Sequence, residues 1–135
     1  MSPLEASRLM YAHVQQGDWD IVENFFTDDF LIYEPPSLPY GGEWHGKDAL
    51  RRLHAHVMAY WEAPKVEWID LLGSETYTVA LLHFSMTSRA SGERFSQHVT
   101  EVTRFNSDGK MTEMRIHYFD AGEVARIAGP DMKSI

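Results

Sequence analysis

The chain has 135 residues, 44% of them hydrophobic, and its 20 acidic against 12 basic side chains give a formal charge of −8. That length supports one domain, 1–135, around a single core, and the acidic balance argues against nucleic acid or an anionic membrane as partner, because both need a basic footprint. With no cysteine, disulfides, a thiolate nucleophile and a Cys-based metal site are excluded; with no apolar run near 18 residues and no signal-peptide pattern, a soluble, cytoplasmic protein is expected.

The first half reads as helical. Ser2-Pro3-Leu4-Glu5 is a capping box with proline at the first helical position, which predicts a helix to about Gln16, ended by Gly17. Asp18 caps a second helix carrying Trp19, Ile21, Val22, Phe25 and Phe26. Phe30 to Glu34 reads as a short strand and Pro35 to Gly42 as a loop, a candidate lid with Tyr40 at its tip. Leu50, Leu53, Val57 and Trp61 recur at offsets of three, four and four, so Lys47 to Tyr60 reads as a helix ended by Pro64.

The second half changes character. Val66–Leu72, Thr76–Thr87, Phe95–Phe105 and Met111–Phe119 are rich in β-branched and aromatic residues and are joined by short turns. They predict a four-stranded antiparallel meander, with a last short helix at Gly122–Ala128. Helices followed by long antiparallel strands imply an α+β fold. Strands of this length twist and curl, so the expected shape is a cone: a strongly curved antiparallel sheet whose concave face is covered by the N-terminal helices. Around Val79 to Met86 both strand parities are apolar, which calls for cover on both faces. A homodimer through the outer sheet face is the expected second cover.

The order and spacing of four segments resemble the SnoaL-like branch of the ketosteroid isomerase and nuclear transport factor 2 superfamily. These are Gln16-Gly17-Asp18-Trp19; Phe26 through Pro35; the glycine-led GEWHGKDAL after Gly41; and Arg104 through Lys110 with Met114-Arg115 beyond. The resemblance implies a cone with an apolar interior, in a fold that hosts isomerases, cyclases, dehydratases, epoxide hydrolases and non-enzymatic binders. It places Glu34 where the isomerases keep an acidic general base. It places Glu101 where they keep a protonated acid that donates to the oxyanion, and Asp120 near a catalytic aspartate of the cyclases and epoxide hydrolases. Both isomerase positions are usually aspartate, and Met10 stands at the oxyanion-hole tyrosine with Tyr11 adjacent. These departures argue against steroid isomerisation itself.

The residues themselves support the same candidates, each beside a plainer reading. A carboxylate buried without a partner is costly unless it binds a proton, and one pushed toward neutrality serves as acid or base near pH 7. Glu34 closes an apolar run and otherwise ends a strand in solvent. Glu101 shares a strand face with Val99, Thr103 and Phe105, or forms a surface pair with Arg115. Asp120 follows Met114, Ile116 and Tyr118 inward, or caps the last helix. Met10, Tyr40, Trp44, Trp61, His83, Val99, Met114 and Tyr118 are candidate pocket walls, against a reading as plain core. His54 falls on an apolar stripe and reads as core. The histidines lack metal-ligand spacing, so neither a metal nor another cofactor is expected. The function expected is cofactor-free acid–base catalysis on a small, apolar or polycyclic molecule, with Glu34 taking a proton and Glu101 or Asp120 donating one. A non-catalytic binding or dimerisation module and a subunit of a larger complex are the alternatives.

Overall fold

The computed structural model describes residues 1–129. Helix α1 (Pro3–Gln16) starts at Ser2, whose side chain accepts from the Glu5 amide at 3.2 Å, and ends at Gly17. Gly17 holds φ at 72° and returns its amide to the His13 and Val14 carbonyls, a left-handed cap that glycine adopts without steric penalty. Helix α2 (Trp19–Glu23) is a single short turn. Asp18 precedes it, but its carboxylate turns to His13 Nδ1 at 3.1 Å and makes no side-chain cap.

Six strands form one sheet. They are β1 (Phe26–Glu34), β2 (Gly42–His45), β3 (Trp61–Gly73), β4 (Tyr77–Ser88), β5 (Arg94–Phe105) and β6 (Met111–Tyr118), in the order β2-β1-β6-β5-β4-β3. The meander β3 to β6 is antiparallel, whereas β1 runs parallel to β6. The sheet is curved and unclosed, with the N-terminal helices against it, so the architecture is the mixed α+β one that the sequence implies. Helix α3 (Ala49–Tyr60) lies between β2 and β3, and α4 (Ala121–Ala128) follows β6.

Several boundaries differ from the sequence pattern: α2 ends at Glu23, so Phe25 and Phe26 are not on it, and β1 already begins at Phe26, four residues before Phe30. β3 begins at Trp61, before Pro64, because Ala63 takes a positive φ of 51° and the pairing shifts between Glu62 and Lys65. Such a bulge accommodates a proline that a regular ladder would reject. The Pro35–Gly42 segment closes a hairpin from β1 to β2. It is no lid led by Tyr40. A Cβ on Gly41 would stand 2.1 Å from the Pro35 carbonyl, and this tight turn folds Tyr40 inward to 2% exposure.

The core sits on the concave face. Met10, Phe30, Ile32, Trp61 and Met114 are buried there with Leu53 of α3 and Val124 of α4. Each large apolar side chain removed from water stabilises the fold by about 1.5–3 kcal/mol. On β4, Ala80, Leu82 and Met86 point into this core, and Val79 and Leu81 lie half-buried on the outer face. Beside them Tyr77 and Leu72 are exposed.

Candidate active site

Strand alternation decides which carboxylates enter the cone. Along β1, Phe30, Ile32 and Glu34 are buried and the intervening Leu31 and Tyr33 are not fully so. Glu34 therefore points inward at the last residue before Pro35, and it is 5% exposed. Along β5, Val99, Glu101, Thr103 and Phe105 share the inner face. Glu101 stands opposite Ala80 on β4 and Ile116 on β6, and the small Ala80 leaves space beside it.

The two glutamates line one cavity of about 560 Å³. Its deep walls are Leu82, Met86, Met114, Ile116 and Tyr118, and its outer part is formed by Trp19, His54, Val66 and Trp68. A space of this size and lining suits a small apolar molecule with a few polar groups.

The carboxyl groups have different surroundings. Glu101 Oε1 accepts a hydrogen bond from the Tyr11 hydroxyl at 2.7 Å. Glu34 Oε1 is buried with no hydrogen-bond partner among the described residues. Burial pushes both groups above the usual carboxylate range. The charge of Glu101 pushes Glu34 further, and the hydrogen bond from Tyr11 pulls Glu101 back. The Tyr11 hydroxyl thus favours the carboxylate form of Glu101, whereas Glu34 has no such donor and the charge of Glu101 favours its protonated form. The phenols of Tyr11 and Tyr118 are raised well above their ordinary value, first by burial and then by the neighbouring glutamates. His54 is lowered by burial, with its ring 5.3 Å from that of Trp19.

The other candidates separate into layers. Met114 and Tyr118 line the cavity. Tyr40 and Trp61 stand behind that wall: Trp61 Nε1 donates to the Tyr40 hydroxyl at 3.0 Å, and Tyr40 faces the Tyr118 hydroxyl. Met10 and Val99 are core residues, 0% and 1% exposed, that do not reach the cavity. Trp44 lies outside it, donating to the Tyr40 carbonyl and packing on His56. His83 is on the opposite face of the sheet, stacked edge-on with His98 at 5.1 Å, because its parity is that of Leu81.

Asp120 is not among the residues that line the cavity. β6 ends at Tyr118, so the alternation that would turn Asp120 inward stops two residues short of it. Its Oδ1 accepts from the Glu123 amide at 3.1 Å as the cap of α4, and its backbone exchanges two hydrogen bonds with the Gln97 side chain. Among the described residues no cluster of three His, Asp or Glu side chains is placed to hold a metal, and no helix is long and apolar enough to cross a membrane.

A family model described as a SnoaL-like domain matches residues 7–114, which include both glutamates and Tyr11 and end within β6 at Met114. The chain belongs to the SnoaL-like family. Its fold is that of the nuclear transport factor 2-like superfamily. A nuclear transport factor 2-like protein of unknown function from Burkholderia pseudomallei superposes with a TM-score of 0.81 at 22% identity, over 96% of this chain and all of that one. TerC, co-crystallised with polyporic acid, has a TM-score of 0.77 at 18% identity, over 93% and 97% of the two chains. A Mycobacterium tuberculosis protein in complex with estradiol-17β-hemisuccinate has a TM-score of 0.64 at 21% identity, over 87% and 94%. No match was found among curated proteins.

Within this SnoaL-like domain, the residue that sequence reasoning set aside is Tyr11. Met10 occupies the position compared with the isomerase tyrosine, and one helical step is about 100°. The missing signal was Ser7, one turn earlier. Ser7 is buried and bonded to Thr78 Oγ1 at 2.7 Å, so its i+4 neighbour Tyr11 also faces the sheet. Trp19, Trp68 and His54 were legible as apolar or aromatic positions, but their place at the cavity's outer part comes from the crossing of α2, α3 and β3 around one opening.

Proposed function

We propose that this SnoaL-like protein is a cofactor-free acid–base enzyme acting on a small, mostly apolar molecule that carries a carbonyl, hydroxyl or epoxide. The observation that supports this is two glutamates buried in one apolar cavity, one hydrogen-bonded to a phenol and the other without a partner. Two carboxyl groups whose surroundings separate their titrations supply an acid and a base at one pH.

In this reading the order is the reverse of the one expected from the sequence. Glu101, held as carboxylate by Tyr11, is the base, and Glu34 keeps its proton as the acid. With a carbonyl substrate, Glu101 takes a proton from the adjacent carbon. The C–H electron pair moves into the enolate, and Glu34 donates to the oxygen that gains charge. Isomerisation, aldol-type cyclisation, dehydration and epoxide opening all use such a pair. Two fold neighbours crystallised with small ligands support the cavity as a ligand site.

The test is deuterium exchange at the α-carbon of a bicyclic ketone, such as 2-tetralone, that is first shown to bind. The wild-type protein accelerates exchange above buffer, and Glu101→Gln loses that acceleration by about 10²–10⁴-fold, the usual contribution of a positioned base. A bound ketone that exchanges no faster than in buffer overturns the catalytic reading and leaves a small-molecule-binding module, and acceleration that survives Glu101→Gln removes Glu101 as the base.

A further inference from the structure

A second recess adjoins the cavity. It has a volume of about 410 Å³, and Arg8, Tyr11, Gln15, Trp68, Asp70 and Leu71 are among its walls. Tyr11, Gln15 and Trp68 line the main cavity as well. The rings of Tyr11 and Trp68 meet edge-on with centroids 4.8 Å apart, so they form a ridge between the two spaces. Trp68 is 39% exposed, which puts the ridge at the open rim.

The two spaces differ in charge. The main cavity holds Glu34 and Glu101 in apolar surroundings, so an anionic group inside would lie against like charge at low dielectric. The recess carries a guanidinium instead. Arg8 lies one turn before Tyr11 on α1, at the spacing that puts both on one helix face. Among the described residues five other arginines hold carboxylates, including Arg51 with Glu23, Arg89 with Glu62 and Arg126 with Glu93, whereas Arg94 and Arg104 do not. The Arg8 side chain has no ion pair or hydrogen bond among the described residues, although its backbone belongs to α1. Asp70 shares the recess, with its Oδ1 accepting from the Leu71 amide at 2.8 Å, so an anion has to lie on the Arg8 side.

We infer that the recess is a subsite for the anionic tail of an amphipathic substrate, a carboxylic acid with a multi-ring apolar body. The body fills the cavity, and the carboxylate crosses the Tyr11–Trp68 rim to reach Arg8. The inference rests on the cavity as a small-molecule site and is independent of whether Glu101 is a base.

The experiment compares 1-pyrenebutyric acid with 1-pyrenebutanol, which share the ring body and differ in tail charge. Fluorescence titration at low salt measures both, on wild-type protein and on Arg8→Gln. Arg8→Gln weakens the acid by about 1.5- to fivefold, the range for an exposed ion pair, and leaves the alcohol unchanged. Added salt erodes the acid's advantage in the wild type, and has little to erode in the variant. Equal weakening of both probes, no change for the acid, or an acid that binds wild type no better than the alcohol overturns the subsite. Failure of both probes to bind wild type overturns it together with the cavity reading. Failure of the catalytic reading alone leaves these affinities as they are.

Discussion

The Tyr11 hydroxyl donates to Glu101 Oε1 at 2.7 Å, joining the first helix to a central strand 90 positions later in the chain. The bond is more than a clamp, because it favours the ionised form of a carboxyl group that burial otherwise keeps neutral. Removing the phenol in Tyr11→Phe takes away the one effect that lowers the Glu101 titration. The Glu101 carbon-13 carboxyl resonance then titrates at higher pH than in wild type. The acid limb of the exchange rate moves in the same direction, and the neutral-pH rate falls by about tenfold or more, as expected for a hydrogen bond to a charged group. An unmoved titration would mean that the contact does not set the charge of Glu101.

Burial of the pair also makes folding depend on pH, with a sign that can be worked out. Glu34 and Glu101 titrate above their ordinary value in the folded protein. In the unfolded chain they ionise near about 4.3. Between those points the folded state holds protons that the unfolded state has released, so stability falls as pH rises. The contribution is complete below the unfolded value and lost once pH has passed the folded one. Glu34→Gln removes one of the two ionisations. Its denaturant midpoint therefore falls less between pH 5 and 8 than that of wild type, and at pH 8 the variant is the more stable protein. Parallel pH profiles for the two proteins would show that Glu34 is solvated in solution.

The inward parity of Glu101 was readable from Val99, Thr103 and Phe105, because a strand has one period and one consequence. The meander was readable for the same reason, from hydrophobic runs separated by turn residues. The β2 strand was not. Gly42 to His45 alternates too briefly to register, and it exists because the Gly41 turn folds the chain back on β1. Asp120 shows the limit from the other side. Two residues past a strand end, periodicity carries no information, and the local chemistry of an N-cap decides. Which carboxylate ionises first depends on a partner from another element, Tyr11, so no single stretch of sequence contains it.

Tyr40 is a test of the support behind the cavity wall. Its hydroxyl accepts from Trp61 Nε1 at 3.0 Å in a region where Trp61 is fully buried. Tyr40→Phe leaves that indole N–H without its acceptor. A buried donor left unpaired costs about 1–3 kcal/mol, and urea unfolding should show a loss of that size. The same change removes the phenol that faces Tyr118, so ligand affinity shifts even though Tyr40 does not line the cavity. A loss much below 1 kcal/mol would indicate that Trp61 finds another acceptor.

The outer face of the sheet gives a prediction about assembly. Val79 and Leu81 of β4 lie half-buried there, with Leu72 and Tyr77 exposed beside them. Leu81 stands opposite Thr100 on one side and Asp70 on the other, with His83 next along the same face. A second copy laid on this face would bury these apolar side chains, and we expect a homodimer on that ground. Light scattering after size exclusion should give twice the chain mass, and Leu81→Lys should return the monomer with its circular dichroism unchanged. Charge at the centre of an apolar interface is costly because it is desolvated without a partner. A wild-type protein that runs as a monomer at micromolar concentration would leave the outer face as an ordinary solvated surface. A dimer indifferent to Leu81→Lys would have to form through another part of the molecule.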